Sequence, residues 1–222
     1  MLRRTILLTG ASRGIGRAIY DELKKDYEII APSREELDLS DDKSIETFVN
    51  KNKDLPVDII INNAGINNPE WIDEMTDENI TQTIQVNLIA PIKIIRGFVG
   101  RMKRNKFGKI VNISSAFGIV ARGKQTLYAS TKHGINGATK ALALELAEHN
   151  ILVNSVCPGF TKTDLVVKKN SPEKIAILEK DIPLGRLAEP EEIARLVEFL
   201  ISDKNTYITG SCVVIDGGFT SK

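Results

Sequence analysis

Between residues 9 and 16 the chain reads Thr9-Gly10-Ala11-Ser12-Arg13-Gly14-Ile15-Gly16, and this glycine-rich segment decides the fold. It follows an apolar run at residues 5–9 and opens an amphipathic pattern at residues 15–25. In such a loop one glycine allows a tight turn, one lets the backbone approach a pyrophosphate, and one lets helix and strand pack closely. The N-terminus of the helix then presents free N–H groups to the phosphates. A glycine-rich turn that binds no ligand has the same composition. Whether this loop binds a dinucleotide must therefore be judged from the rest of the chain.

The rest of the chain alternates short apolar runs with helical patterns. Consecutive β-branched and apolar positions are typical of strands that are covered on both faces. They predict strands at residues 5–9, 28–31, 57–61, 109–113, 152–156 and 213–215, with a weaker one at 37–39. Helices are predicted at residues 15–25, 45–52, 78–104, 128–148, 172–180 and 190–202. This alternation predicts a Rossmann-type, doubly wound α/β fold in which a mostly parallel seven-stranded sheet carries helices on both faces.

Composition narrows the organisation and the classes of partner. A chain of 222 residues without a linker or an internal repeat predicts a single domain over residues 1–222. The formal net charge of +1 gives no field that would hold nucleic acid or an anionic membrane. No apolar run approaches the ~20 residues of a membrane span, and the run at residues 5–9 is too short for a signal peptide. We therefore expect a cytoplasmic protein with no nucleic-acid or membrane partner.

Cysteine and histidine positions bear on redox and metal chemistry. Cys157 and Cys212 both lie in apolar strand-like runs, which predicts buried thiols in a reducing compartment rather than a disulfide. His133 and His149 have no cysteine or carboxylate cluster at ligand spacing. We expect no catalytic metal.

Tyr128 and Lys132 lie four residues apart at the start of a strong helical pattern, so they share one helix face. Reduction of a carbonyl by hydride needs a proton donor, and the reverse reaction needs a base. A free phenol with a pKa of about 10 is a poor base at neutral pH, and a nearby cation favours the phenolate. Tyrosine and lysine are often four apart on helices, so the pair alone decides nothing.

Read together, the motifs have one order and a common location. They are the glycine loop, Asn62-Asn63-Ala64-Gly65, Asn87, Ser114-Ser115, Tyr128 with Lys132, Pro158-Gly159, and the late segments 208–210 and 216–218. Most of them follow a predicted strand, where ligands bind in open α/β sheets. Over nearly its whole length the chain resembles the short-chain dehydrogenase/reductase family, in its oxoacyl-carrier-protein reductase-like branch.

The resemblance implies catalytic roles for four side chains. Tyr128 corresponds to the general acid/base, and Lys132 to the residue that lowers the phenol pKa and holds the nicotinamide ribose. Ser115 corresponds to the hydroxyl that binds the substrate oxygen. Asn87 corresponds to the anchor of a water in a proton relay. Ser114 is an alternative to Ser115, and the distance from Tyr128 in sequence favours Ser115.

The resemblance also implies a set of cofactor-binding residues. The glycine loop contributes Gly10, Ser12, Arg13, Gly14, Ile15 and Gly16, and the next motif contributes Asn63, Ala64 and Gly65 beside the adenosine ribose. Tyr128 and Lys132 belong to this set as well. Pro158, Gly159 and Thr161 correspond to the segment that fixes the carboxamide, and Thr163 to a threonine that touches the same group or the diphosphate.

The residues at the end of the second predicted strand indicate whether the chain binds NADP(H) or NAD(H). It reads Ile30-Ala31-Pro32-Ser33-Arg34, with no carboxylate to bind a ribose 2′-hydroxyl and repel a 2′-phosphate. Ser33 can donate a hydrogen bond and Arg34 a forked charged contact, while Arg13 adds a second cation. These features favour NADP(H), and NAD(H) stays open. Asp38, followed by Leu39, resembles the aspartate that meets the adenine amino group.

The chain departs from the family pattern after the second strand. Residues 34–38 are too few for the helix that usually joins the second and third strands, so we expect that helix to be missing and the adenine pocket to be more open. By resemblance, residues of about 160–187 form a mobile substrate lid. The helices at 78–104 and 128–148 expose small and apolar residues on a second face, which predicts a homodimer or homotetramer.

These observations predict an NADP(H)-dependent oxidoreductase that moves a hydride between nicotinamide and a carbonyl or secondary alcohol carbon. Sugars and small ketones remain open as substrates beside oxoacyl groups. An NAD(H)-preferring dehydrogenase is one alternative, and a dinucleotide-sensing protein without turnover is another. The complete set of Asn87, Ser115, Tyr128 and Lys132 argues against the last, because a pure binder needs no serine–tyrosine pair.

Overall fold

A computed structural model describes residues 3–163, 166 and 170–221 of the chain, and its centre is a parallel sheet. Among these residues the strands are β1 (Thr5–Leu8), β2 (Glu28–Ile30), β3 (Val57–Asn62), β4 (Gly108–Ile113), β5 (Ile151–Pro158) and β6 (Cys212–Ile215). Their order is β2-β1-β3-β4-β5-β6, and every pairing is parallel. The predicted doubly wound, Rossmann-type architecture is confirmed. The chain reverses its direction of winding between β1 and β3, and such a switch point opens a crevice at the carboxyl ends of the strands.

Helices cover both faces of the sheet. The described helices of eight or more residues are α1 (Gly14–Leu23), α2 (Asp42–Asn52), α3 (Asp77–Ile84), α4 (Ala90–Asn105), α5 (Thr126–Leu146), α6 (Pro172–Lys180) and α7 (Pro190–Ile201). On one face, Ile19 of α1 and Val197 of α7 pack with alternate residues of the central strands. On the other face, Phe48 of α2, Ile94 of α4 and Leu146 of α5 pack against the remaining strand residues. Both faces of the strands are buried, which explains their uninterrupted apolar sequences.

The seventh strand predicted at residues 37–39 is wrong, because the sheet has six strands. The backbone N–H of Leu37 donates to the carbonyl oxygen of Ser33 at 3.0 Å, and that of Asp38 donates to the Ser44 hydroxyl at 2.9 Å. The donors that a strand would offer to β2 are therefore used within a turn. Leu37 is buried in the core, as its apolar side chain predicts. The prediction was wrong only in giving this segment a strand conformation instead of a turn. As predicted, no helix forms between residues 34 and 38, and α2 makes the crossover to β3.

The single long helix predicted at residues 78–104 is divided. A π-helical segment, Gln85–Ile89, lies between α3 and α4, and Pro91 falls in the first turn of α4. Ile89 is itself helical, and Pro91 lacks the N–H that would continue the hydrogen bonds of the preceding turn, so the irregular segment lies where these bonds are interrupted. Single π turns within α-helices often mark functional sites, and this one contains Asn87.

The region predicted as a substrate lid is only partly described. Within residues 160–187, positions 164, 165 and 167–169 lie outside the described residues. In the described part, α6 begins at Pro172, and Ser171 caps it by accepting a hydrogen bond from the N–H of Lys174 at 3.4 Å.

Three further observations concern the expected absences. None of the helices in the described ranges has the length and apolar character needed to cross a membrane. Among the same residues, no group of three or more His, Cys, Asp or Glu side chains is placed to hold a metal ion. Cys157 and Cys212 are free thiols; Cys157 is buried as predicted, whereas Cys212 is only half-buried.

Candidate active site

The glycine loop connects β1 to α1 at the switch point. Gly10 and Gly14 have φ of +70° and +55°, which residues with a Cβ rarely adopt. A Cβ on Gly16 would overlap the carbonyl oxygen of Gly10, so this position must stay glycine for the helix to begin where it does. The first turn of α1 contains no acidic residue. Its N–H groups therefore remain available to an anion.

The segment that follows β3 braces this loop. The side-chain amide of Asn63 donates to the carbonyl oxygens of Thr9 and Gly10, both at 3.0 Å. The Thr9 hydroxyl accepts from the N–H groups of Asn63 and Ala64, both at 3.1 Å. Sequence reasoning placed Asn63 at the site but missed Thr9, whose bracing role depends on a long-range contact that no local pattern signals.

A cleft of about 860 Å³ opens above these two loops. Fourteen of the predicted cofactor residues line it: Gly10, Ser12, Arg13, Gly14, Ile15, Gly16, Ser33, Arg34, Asp38, Leu39, Asn63, Ala64, Gly65 and Thr163. The cleft joins a helix N-terminus to the end of β2, so its size and its donors fit a dinucleotide.

At the far end of the cleft, after β2, the polar side chains are already paired with one another. The guanidinium of Arg34 is 3.3 Å from the carboxylate of Asp38, and its side chain is 77% exposed. Hydrogen bonds from Ser40 hold the pKa of Asp38 below its usual value. Glu36, which sequence reasoning did not single out, accepts a hydrogen bond from the N–H of Ser33 at 2.8 Å. Two carboxylates therefore lie near the residues predicted to meet a 2′-phosphate.

A second cavity, of about 630 Å³, adjoins the first and shares Ile15, Asn63, Gly65, Ile66 and Thr163 with it. The remaining predicted site residues other than Asn87 line it: Ser115, Tyr128, Lys132, Pro158, Gly159 and Thr161. One wall is aromatic, because Phe117, Phe160 and Phe219 meet edge to face with ring centroids 5.3–6.2 Å apart. Exposed Arg122 and Lys174 also line this cavity. Sequence reasoning missed the three phenylalanines, which lie far apart in the chain.

Ser115 and Tyr128 meet in the second cavity. A side-chain hydrogen bond from Ser115 lowers the pKa of Tyr128, but burial has the larger effect and raises that pKa above its ordinary value. The phenol is therefore protonated at neutral pH in this structure. This differs from the lowering that the resemblance implies, and the reason lies in where the neighbouring lysine is held.

Lys132 is buried beside the tyrosine. Its Nζ donates to the carbonyl oxygen of Ile113 at 2.8 Å and lies 5.5 Å from the centroid of the Tyr128 ring. Burial lowers the pKa of Lys132 from 10.5 to about 8. An ammonium whose own charge is disfavoured, and whose hydrogen bond goes to a backbone carbonyl, does little to promote ionisation of the phenol.

The two adjacent serines point in different directions. Ser114 donates to the carbonyl oxygen of Lys132 at 3.2 Å. Ser115 caps the short 3₁₀ turn Ala116–Gly118, where its hydroxyl accepts from the N–H of Phe117 at 3.1 Å. Asn136 secures the other end of this turn by donating to the carbonyl oxygen of Gly118 at 3.0 Å. Asn136 lies one helical turn beyond Lys132 on the same face, a spacing that could have identified it.

Asn87 is buried behind the cavity and bonded to the loop that separates it from the cleft. Its Oδ1 accepts from the N–H of Ile66, and its Nδ2 donates to the carbonyl oxygen of the same residue. A Cβ on Gly65 would lie 3.3 Å from Asn87 Oδ1 and 3.7 Å from Lys132 Nζ. The structure thus brings Asn87, Gly65 and Lys132 together.

The fold and the site together define a dinucleotide-binding α/β oxidoreductase, and comparisons with known proteins identify the family. A family profile described as enoyl-(acyl carrier protein) reductase matches residues 7–220. The chain is 39% identical to the 3-oxoacyl-(acyl-carrier-protein) reductase FabG of Rickettsia felis, and the match covers 97% of this chain and 96% of the relative.

Solved structures agree with this assignment. A 4-hydroxyisoleucine dehydrogenase complexed with NADH is 31% identical, with a TM-score of 0.94 over 99% of this chain and 100% of its own. ElxO with NADP bound is 29% identical, with a TM-score of 0.92 over the whole of both chains. The chain therefore belongs to the short-chain dehydrogenase/reductase family, in its oxoacyl-carrier-protein reductase-like branch. The predicted resemblance is confirmed.

Proposed function

We propose that this oxidoreductase uses NADPH to reduce the carbonyl of a 3-oxoacyl thioester to a secondary alcohol. The observation that carries the proposal is the presence of Tyr128 and Ser115 together in the cavity that adjoins the dinucleotide cleft. A carbonyl oxygen placed between the two hydroxyl groups would accept a hydrogen bond from each. The same arrangement suits reduction of C=O, because the oxygen between the two hydroxyl groups is the atom that must receive the proton.

The residues of this chain have separate tasks in the reaction. A bound nicotinamide supplies the hydride. Tyr128 gives its phenolic proton to the oxygen as the alkoxide forms, and Ser115 holds that oxygen in place. Lys132 lies close to both the phenol and Gly65, and its pKa is about 8. It would return a proton to Tyr128 through the polar groups beneath the site. The raised pKa of the phenol suits the direction of reduction, since the donor arrives protonated.

Two features support a 3-oxoacyl thioester as substrate. The similar relative from Rickettsia felis carries the name of a 3-oxoacyl-(acyl-carrier-protein) reductase. The second cavity combines an aromatic wall with exposed cations in its lining, which suits an apolar acyl chain joined to an anionic carrier. For the cofactor, Arg13 and Arg34 favour a 2′-phosphate, and Arg13 makes no ion pair with any residue that the structure describes.

A kinetic experiment tests the proposal. Purified protein is mixed with NADPH and 3-oxobutanoyl thioester, and cofactor oxidation is followed by absorbance. We expect turnover by the native protein and at least a hundredfold lower kcat for Tyr128→Phe with an unchanged NADPH Kd. Arg34→Ala should weaken NADPH binding and leave NADH binding unchanged. Cofactor binding without turnover of any carbonyl substrate would instead identify a dinucleotide-sensing protein.

We also propose that the protein is a cytoplasmic homodimer or homotetramer. The outer face of α5 exposes Ala141 and Leu144, the latter to 83%. Leu144 lies in the last turn of α5, and a large exposed apolar side chain becomes buried when a partner subunit packs against that helix face. Sedimentation equilibrium should therefore give twice or four times the mass of the chain, and a monomer would contradict this part of the proposal.

A further inference from the structure

Two side-chain oxygens in the second cavity are buried and unpaired. The Oδ1 atom of Asn67 and the Oε1 atom of Gln125 have no hydrogen-bond partner among the described residues, and both side chains line the cavity. An unpaired buried acceptor lowers the stability of the fold, so such an atom calls for a hydrogen-bond donor from a ligand. Of the residues that the structure describes, Asn67 and Gln125 are those with such an atom that line the second cavity.

The backbone holds both residues close to the reacting groups. Asn67 directly follows Ile66, which Asn87 fixes through two hydrogen bonds. Gln125 precedes the first residue of α5 and lies three residues before Tyr128, and its carbonyl oxygen accepts from Ala129 at 2.7 Å. Neither residue is on a free loop, because each is anchored by a catalytic element.

The two segments are also joined to each other. The N–H of Glu70 donates to the carbonyl oxygen of Lys124 at 3.2 Å, and the Lys124 ammonium lies 4.8 Å from the centre of the Trp71 ring. The segments 67–71 and 122–125 therefore form one rim of the cavity. Asn67 and Gln125 are the members of this rim that carry unpaired buried oxygens.

We propose that Asn67 and Gln125 form a subsite for a hydrogen-bond donor, an N–H or O–H group, that the substrate carries beside its reacting carbonyl. This inference rests on the proposed function and deepens it, because it names the residues that select among carbonyl substrates. A substrate whose donor is missing leaves both oxygens unpaired. Sites of this kind reject the analogue that lacks the hydrogen-bonding group.

Matched substrate pairs that differ only in the donor hydrogen test this subsite. One pair is the 3-oxobutanoyl thioester of N-acetylcysteamine and of N-acetyl-N-methylcysteamine. The other is the S-(2-hydroxyethyl) and the S-(2-methoxyethyl) 3-oxobutanethioate. Affinity is measured for the complex with NADP⁺, in which the carbonyl cannot be reduced, through the fluorescence of Trp71, the one tryptophan of the sequence. Initial rates with NADPH are measured separately.

We expect the donor-bearing member of one pair to bind about tenfold more tightly than its methylated partner. The pair that shows this difference identifies the donor as an N–H or an O–H group. The preference should disappear in the double variant Asn67→Leu, Gln125→Met, which keeps the bulk of both side chains. It should persist in the control Asn105→Leu at the exposed end of α4. Equal affinities within both pairs, or a preference that survives the double variant, would overturn the subsite.

The two measurements separate this inference from the proposed function. Selective binding without NADPH oxidation would keep the subsite and reject the proposed reaction. Rapid oxidation without selectivity would keep the reaction and reject the subsite. Absence of both binding and oxidation would reject both.

Discussion

The side-chain amide of Asn87 bonds to both backbone polar atoms of Ile66, accepting from its N–H at 2.9 Å and donating to its carbonyl at 2.8 Å. The amide thus makes with Ile66 the two hydrogen bonds that a residue of a neighbouring strand would make. Because the preceding residue, Gly65, lies against both Asn87 and Lys132, this contact sets the wall between the dinucleotide-sized cleft and the second cavity.

Replacing Asn87 should therefore affect both stability and rate. In Asn87→Ala the N–H and carbonyl groups of Ile66 lose their side-chain partner, and the free energy of unfolding should fall by about 2 kcal/mol. We expect kcat to fall at least tenfold, since the loop beside Lys132 is no longer fixed. Urea unfolding and steady-state kinetics measure the two effects. Asn105→Ala is the control, and a variant with native stability and native kcat would contradict the interpretation.

The strands and most helices could be predicted from the sequence because their apolar periods are local. Residues 57–61 and 109–113 are buried on both faces, and their strands agree with the structure to within one residue. The failures have a different cause. Leu37 is apolar and buried, yet the N–H groups of Leu37 and Asp38 donate to the Ser33 carbonyl and the Ser44 hydroxyl, and these bonds hold the segment in a turn that composition does not reveal.

The candidate site shows the same division between local and long-range signals. Ser115, Tyr128 and Lys132 could be named from their order and spacing. Helical spacing from Lys132 places Asn136 on the same face, but its bond to the Gly118 carbonyl could not be predicted, because the two residues are eighteen positions apart in the chain. The direction of the Tyr128 pKa also needed the structure, since burial opposes the effect expected from a nearby cation.

Asn136 should act as a positioning residue for Ser115. Its bond to Gly118 fixes the turn that Ser115 caps, so Asn136→Ala should release the Ser115 hydroxyl from Tyr128. We expect kcat to fall about tenfold with little change in the KM for NADPH. The Ser115 bond lowers the pKa of Tyr128, and losing it should raise that pKa further. The alkaline limb of kcat for reduction, where the phenol loses its proton, should therefore move to higher pH.

The pH profile distinguishes positioning from a purely structural role. A variant that is only less stable would lose activity through unfolding and would keep the native profile at temperatures well below its Tm. Ser130→Ala, on the exposed face of α5, is the matched control, and it should keep both the native kcat and the native profile. An unshifted alkaline limb in Asn136→Ala would exclude the positioning role.

Lys132 should make stability depend on pH in a defined window. Its pKa in the fold is about 8, against 10.5 in its ordinary state, so the unfolded chain binds more protons between these values. Stability should then rise with pH from about 8 to about 10.5, and the gain corresponds to about 3 kcal/mol. Below pH 8 the buried charge lowers stability by a constant amount. Lys132→Met removes this dependence together with catalysis.

Unfolding by urea at several pH values checks this prediction. The native protein should gain about 3 kcal/mol relative to Lys132→Met as the pH rises from 7.5 to 10.5, because every other titrating group is common to both proteins. The constant loss of the hydrogen bond to Ile113 does not alter the slope. A difference that stays level across this range would show that Lys132 keeps its ordinary pKa in the fold.

Glu36 should limit the preference for NADPH. Its carboxylate accepts the N–H of Ser33, beside Arg34, where the sequence predicts that the 2′-phosphate binds. A negative charge at this place opposes a dianionic phosphate but has little effect on a neutral ribose hydroxyl. In Glu36→Gln we expect the Kd for NADPH to fall about threefold, as is typical of one exposed charge, and the Kd for NADH to stay the same. Glu35→Gln is the matched control, since it removes the same charge one residue away without a bond to Ser33. Both constants can be measured by fluorescence titration at low and at physiological salt, and the NADPH effect should shrink as salt increases. If Glu36→Gln weakened the binding of NADH instead, the end of β2 would select a ribose hydroxyl, and the proposed NADPH dependence would have to give way to NADH.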